Sequence, residues 1–118
     1  MAAKATVICL LDRRNNSLCR RVRANGFEVI EVFAPDKAVA LSVSREVSAV
    51  VMDEMFCVVR EGWSIAQSLK LVRPAMCILL LTNSRFNKAR TPSGIDAMVP
   101  RSQPAQVIAC LMKMTSAA

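Results

Sequence analysis

Four polar residues stand at the ends of apolar runs in this sequence. Asp12 follows the run at 5–11, and Asp53 follows four apolar residues in a row, with no glycine or proline to announce a turn. Thr82 ends a third apolar run, and Arg101 comes shortly after a fourth. Carboxylates bind metal ions or act as nucleophiles, and cations bind oxyanions. Whether these groups act together depends on the elements that carry them.

Strand and helix patterns alternate along the whole sequence. Near-continuous apolar runs rich in β-branched residues are typical of strands that are buried on both faces. The run at 27–33 also contains Glu28 and Glu31, which favours a strand at the edge of a sheet. Apolar residues at helical spacing lie between these runs. The predicted strands are 5–11, 27–33, 47–53, 76–83 and 95–99, and the predicted helices are 15–26, 35–44, 62–72, at most two turns within 84–94, and 104–114.

Five strands alternating with five helices predict a parallel sheet with helices on both faces. In such folds ligands bind beyond the carboxyl ends of the strands, where the strand order reverses. Asp12, Asp53 and Thr82 end the first, third and fourth predicted strands, and Arg101 follows the fifth. We therefore expect all four residues to meet at one edge of the sheet.

Length and composition restrict the class of protein. The 118 residues, 53% of them apolar, predict one domain over 1–118 with a core of its own. No apolar run reaches the ~18 residues that a membrane-spanning helix needs. The start of the sequence has a short apolar run that ends in charged residues without a cleavage pattern, which predicts a cytoplasmic protein.

The cysteines do not suggest a disulfide scaffold or a zinc site. There are five of them, none in a C-x-x-C spacing, and the sequence has no histidine. Cys9, Cys77 and Cys110 lie inside apolar runs, so we expect them to act as small core residues. The absence of histidine also excludes Ser–His and Cys–His catalysis.

The order of the four polar residues resembles that of the receiver domain of two-component response regulators. The segment VVMDEMF at 50–56 is similar to the phosphorylation strand of that family, and LLLTN at 79–83 is similar to the end of its fourth strand. EGWSIAQSLK at 61–70 resembles a helix opening of the family. The resemblance covers essentially the whole chain. It implies an α/β, flavodoxin-like, doubly wound sheet of five parallel strands in the order 2-1-3-4-5, with helices on both faces.

The same resemblance implies a signalling module of a phosphorelay rather than an enzyme. Asp53 would accept a phosphoryl group from a histidine kinase or a phosphotransfer protein, while Thr82 and Arg101 would contact the phosphoryl oxygens. Mg²⁺ would be held by Asp12, Asp53 and the backbone carbonyl of Met55. The charge added to Asp53 would then change contacts with a downstream effector protein or domain, and members of the family also form homodimers.

Several positions depart from the family pattern and leave an alternative open. Leu11 stands where the first acid of the family lies, Arg101 replaces a lysine, and Met98 occupies the position of an aromatic switch residue. Arginine and lysine are not interchangeable at such a site, because the guanidinium is a planar fork. The alternative is a degenerate receiver that is not phosphorylated and acts as a constitutive docking or dimerisation module.

Individual residues also allow simpler interpretations. Asp53 could be a solvated carboxylate at the end of a strand, Thr82 could cap the next segment, and Arg101 could form a structural salt bridge with Asp53. The net charge of +7 and the arginines at 20, 21 and 23 raise nucleic-acid binding as a further hypothesis. The sequence has four Phe, one Trp and no Tyr, which disfavours stacking on bases. An exposed helix face is the simpler interpretation of the arginines.

Overall fold

A five-stranded parallel sheet forms the centre of the structure, a computed structural model that describes residues 5–11, 16–53, 61–82 and 94–115. The strand order is β2-β1-β3-β4-β5, and all four neighbouring pairs are parallel. The predicted fold class and strand order are therefore confirmed. The strands are β1 (Thr6–Leu10), β2 (Glu28–Val32), β3 (Ala49–Asp53), β4 (Cys77–Thr82) and β5 (Ala97–Pro100).

Four helices connect or follow the strands within the described residues. Their predicted positions are confirmed to within about two residues at each end, as is usual for boundaries argued from sequence. The short helix predicted within 84–94 falls on residues outside the described ones, except for Gly94. The helices are α1 (Asn16–Ala24), α2 (Pro35–Ser44), α3 (Glu61–Val72) and α4 (Pro104–Thr115).

Alternate side chains of the central strands enter two separate hydrophobic layers. On one face, Val51 and Leu79 pack with Leu111 of α4 in a layer that also includes the apolar side of α1. On the other face, Val50 and Leu80 belong to the layer under α2 and α3. Successive residues of a strand point to opposite faces. Because both faces of the central strands are covered, both sets of alternate residues are apolar. The continuous apolar runs therefore predicted these strands correctly.

The edge position predicted for the second strand is also confirmed. Glu28 and Glu31 are exposed on β2, which is the first strand of the sheet order. The Glu28 carboxylate lies 2.7 Å from the Arg45 guanidinium, and the Glu31 carboxylate lies 3.5 Å from that of Arg23. Both carboxylates of this edge strand are therefore in contact with water and paired with arginines.

The cysteines match the sequence prediction only in part. Cys9 is buried in the core, as predicted, but Cys77 and Cys110 are only half-buried and pack against the margin of the core. They lie at the first residue of β4 and in the second half of α4. Burial raises the pKa of both the Cys77 and the Cys110 thiols, which keeps them protonated at neutral pH. Cys57 lies outside the described residues.

The helices of the described residues were compared with the requirements for crossing a membrane. None of them combines the length and the apolar character needed to cross a bilayer.

Truncating a central core side chain should destabilise the protein far more than the same truncation at the surface. Leu80→Ala removes a fully buried side chain from β4, so we expect the free energy of unfolding to fall by about 2–5 kcal/mol. Leu71→Ala is the matched control, because Leu71 is 84% exposed on α3, and its effect should stay within about 0.5–1 kcal/mol. Urea unfolding followed by circular dichroism measures both. Equal effects would contradict the assignment of the two positions.

Candidate functional site

Three of the predicted site residues lie at the carboxyl edge of the sheet on neighbouring strands. Asp53 is the last residue of β3, Thr82 is the last residue of β4, and Arg101 directly follows β5. The parallel register places Asp53 opposite Leu81, so the ends of β3 and β4 are almost level. The fold therefore brings together residues that are far apart in sequence.

An ion pair joins the first and last of these residues. The Nη2 group of Arg101 donates a hydrogen bond to Oδ1 of Asp53. The Asp53 side chain is fully buried, whereas that of Arg101 is 39% exposed. Burying a carboxylate without a counter-charge is strongly unfavourable, so the guanidinium offsets part of the cost of burying Asp53. The interpretation of Asp53 as a solvated strand-end carboxylate is wrong, and the salt bridge considered for Arg101 is present.

Thr82 anchors the backbone that carries Arg101. The amide N–H of Arg101 donates to the carbonyl oxygen of Thr82 at 2.8 Å, which continues the pairing of Thr82 with Pro100 by one residue. Thr82 is 1% exposed and lies at the end of β4, between the strands that carry Asp53 and Arg101. The backbone from which the Arg101 side chain extends is thus held by the sheet.

The predicted metal ligands are described only in part. Asp53 is placed at the site, but Asp12 and Met55 lie outside the described residues, so their roles stay predictions. Within the residues that the structure describes, no three histidine, cysteine, aspartate or glutamate side chains are gathered as a metal site. A carboxylate oxygen of Asp53 nevertheless suits Mg²⁺, which prefers oxygen ligands and keeps several waters. The guanidinium of Arg101 already places one positive charge beside the same carboxylate.

A cavity beside the ion pair was not predicted from the sequence. It has a volume of about 310 Å³ and is lined by residues of α1, by Arg101 and by the start of α4. The arginines at 20, 21 and 23 are exposed on α1, as the simpler interpretation expected, but Arg21 also lines this cavity. No local pattern could reveal this, because the contact depends on how α1 packs beside α4. The lining residues are Ser17, Leu18, Arg21, Arg101 and Pro104.

Comparison with solved structures identifies the architecture. A CheY-like receiver domain from Methanospirillum hungatei matches with a TM-score of 0.83 at 15% identity, over 97% of this chain and 95% of that chain. A response regulator from Thermotoga maritima matches with a TM-score of 0.82 at 14% identity, over 98% and 100% of the two chains. The chain has the fold of a response regulator receiver domain.

A third neighbour of the receiver fold carries a metal ion. The receiver domain of a sensor histidine kinase from Pseudomonas aeruginosa, with magnesium coordinated in its active-site cleft, matches with a TM-score of 0.80 at 18% identity. The match covers 98% of this chain and 100% of that chain. No protein-family model and no curated protein matches the sequence. At these identities the likeness establishes the receiver fold.

Two departures from the receiver pattern can be located in the structure. Leu11, at the position of the first acid of the family, is 2% exposed and belongs to the hydrophobic layer under α1 and α4. Met98, at the position of the aromatic switch residue, is half-buried on β5 and packs against the other layer. Both residues are therefore used as apolar packing in this chain.

Removing the cation from the ion pair should destabilise the fold through the buried carboxylate. Arg101→Gln leaves Asp53 without its guanidinium partner, so we expect the free energy of unfolding to fall by about 1–3 kcal/mol at neutral pH. Arg45→Gln is the matched control, because the Arg45–Glu28 pair is about half exposed and should contribute less than about 1 kcal/mol. Urea unfolding of each variant gives the two values.

A double-mutant cycle isolates the contribution of the pair. In an Asp53→Asn background, Arg101→Gln should have a much smaller effect than in the wild type, since the buried charge is gone. If Arg101→Gln has the same effect in both backgrounds, Arg101 does not stabilise Asp53.

Proposed function

We propose that this chain is a phosphorelay receiver domain that accepts a phosphoryl group on Asp53. The observation that supports it best is the buried carboxylate of Asp53 at the carboxyl edge of the sheet, paired with the guanidinium of Arg101. A carboxylate oxygen is a suitable nucleophile for this transfer, and a cation lies where the phosphoryl charge would develop. The neighbours with this fold include response regulators, which supports a signalling role for this edge of the sheet.

In the proposed reaction, a carboxylate oxygen of Asp53 attacks the phosphorus atom of a phosphohistidine. The bond between phosphorus and the imidazole nitrogen breaks, its electron pair stays on that nitrogen, and an acyl phosphate forms on Asp53. Arg101 transfers its hydrogen bond from the carboxylate to a phosphoryl oxygen, and the Thr82 hydroxyl donates to another phosphoryl oxygen. Both interactions are charge-assisted and strengthen as negative charge gathers on those oxygens.

Magnesium is the proposed cofactor. Asp53 would hold it together with Asp12 and the carbonyl oxygen of Met55, and the ion would neutralise part of the charge of the phosphoryl group. The neighbour from Pseudomonas aeruginosa, with magnesium in its cleft, supports this choice. Arg101 competes with the ion for Asp53, so we expect affinity for Mg²⁺ to be weak.

The proposed partners follow from the reaction. A histidine kinase or phosphotransfer protein would supply the phosphoryl group, and an effector protein, an effector domain or a second copy of this chain would detect the phosphorylated state. Residues 1–118 would act as one signalling domain in the cytoplasm and not as an enzyme. Direct binding of nucleic acid is not part of the proposal, since Arg23 on α1 is already paired with Glu31.

A degenerate, non-phosphorylated docking module is the second candidate. The observation that favours it is that the Arg101–Asp53 pair satisfies the buried carboxylate without any phosphoryl group. Leu11 adds to this, because an apolar core residue replaces one acid of the family. Such a module would keep one conformation and bind its partner constitutively.

Intact-mass analysis after incubation with acetyl phosphate and Mg²⁺ separates the two candidates. The receiver proposal predicts one phosphoryl adduct on the wild type and none on Asp53→Asn, because the amide cannot form the acyl phosphate. Asp36→Asn serves as the control, since Asp36 is exposed in the first turn of α2 and should leave the adduct unchanged. Folded wild-type protein that gains no adduct would contradict the proposal and favour the docking module.

A further inference from the structure

Among the described residues, the lining of the cavity between α1 and α4 contains two arginines and no acidic residue. Arg21 and Arg101 line it from opposite parts of the chain, together with Ser17, Leu18 and Pro104. Its volume of about 310 Å³ is near the lower end of the ~300–1,000 Å³ typical of small-ligand sites. It could therefore hold a small ligand, and the charge of the lining decides which kind.

Arg21 is a cation of the cavity lining whose side chain has no ion-pair partner among the described residues. Its neighbour on the helix, Arg23, is paired with Glu31, but no carboxylate within the described residues forms an ion pair with Arg21. The side chain of Arg21 is exposed, so it can turn toward a ligand without losing a protein partner. Two guanidinium groups at one cavity repel each other unless an anion lies between them.

Arg101 can serve the cavity and Asp53 together. A guanidinium carries five N–H donors, and the hydrogen bond to Asp53 uses only Nη2. The side chain of Arg101 is 39% exposed and is also part of the cavity lining. Arginine forks bind phosphate oxygens through paired hydrogen bonds, so a tetrahedral oxyanion matches their geometry better than chloride does.

We propose that this cavity binds a phosphate-type oxyanion between the guanidinium groups of Arg21 and Arg101. The site is distinct from the carboxylate of Asp53 and requires neither Mg²⁺ nor phosphoryl transfer. It shares one residue with the acceptor site, and the two are linked through Arg101. An anion in the cavity interacts with the same guanidinium that stabilises Asp53. Occupation of either site therefore changes the free energy of binding at the other site by the same amount.

This linkage has a definite sign. Asp53→Asn removes the negative charge that competes for Arg101, so the oxyanion should bind severalfold more tightly to that variant than to the wild type. Asp53→Asn also cannot be phosphorylated. Anion binding in this variant therefore tests the cavity independently of the proposed acceptor chemistry, and a failure of one proposal leaves the other intact.

The test is isothermal titration of the whole chain with inorganic phosphate, in chloride buffer of constant ionic strength with EDTA present. We expect saturable binding to the wild type and a loss of affinity of roughly tenfold or more in Arg21→Gln, as expected for a charged hydrogen bond. Arg20→Gln is the matched control, because it removes the same charge from the same helix but does not line the cavity. Both arginines are exposed, so the variants should fold.

Two outcomes would overturn the proposal. Equal loss in Arg20→Gln and Arg21→Gln would mean that phosphate only screens the basic surface of α1, and an absence of saturable binding to the wild type would mean that the cavity does not select oxyanions. A second titration with methyl phosphate identifies the source of the ligand. Binding of both probes indicates a phosphate group carried by a larger molecule, and binding of inorganic phosphate alone indicates the free ion.

Discussion

The ion pair between Asp53 and Arg101 is the interaction on which the site depends. A fully buried carboxylate at the end of β3 would strongly destabilise the fold without a cation, and among the described residues Arg101 forms an ion pair with it. The same guanidinium is partly exposed and lines the neighbouring cavity. One side chain therefore connects the charge of the Asp53 carboxylate with the surface formed by α1 and α4.

The sheet makes this pair possible. Parallel strands deliver their carboxyl ends to one edge, and the order β2-β1-β3-β4-β5 places β4 between the strands that carry Asp53 and Arg101. The Thr82 carbonyl then fixes the backbone of Arg101 through a hydrogen bond of 2.8 Å. Two hydrophobic layers pack against the strands from both faces, so these polar groups extend from a closely packed sheet.

The sequence was sufficient for the architecture because its local and global patterns agree. Apolar runs marked the strands, Glu28 and Glu31 marked the edge, and the polar residues at strand ends marked the site. The sequence was not sufficient to predict how the site residues pack in the folded chain. The pairing of Asp53 with Arg101 was one of the alternatives that the sequence left open, but the full burial of Asp53 and the cavity beside Arg21 arise from packing between distant segments, which no residue spacing encodes. Likewise, Cys77 and Cys110 looked like core residues, but the end of the sheet leaves them half-covered.

The central claim is that Asp53, although paired with Arg101, can still take up a phosphoryl group. The most direct measurement is ¹⁹F NMR of the protein with Mg²⁺ and beryllofluoride, a phosphoryl mimic that coordinates to a carboxylate oxygen. Our account predicts bound fluoride resonances in the wild type that are absent in Asp53→Asn. Folded wild-type protein that shows only free beryllofluoride would contradict it, because the ion pair would then be the permanent state of the site.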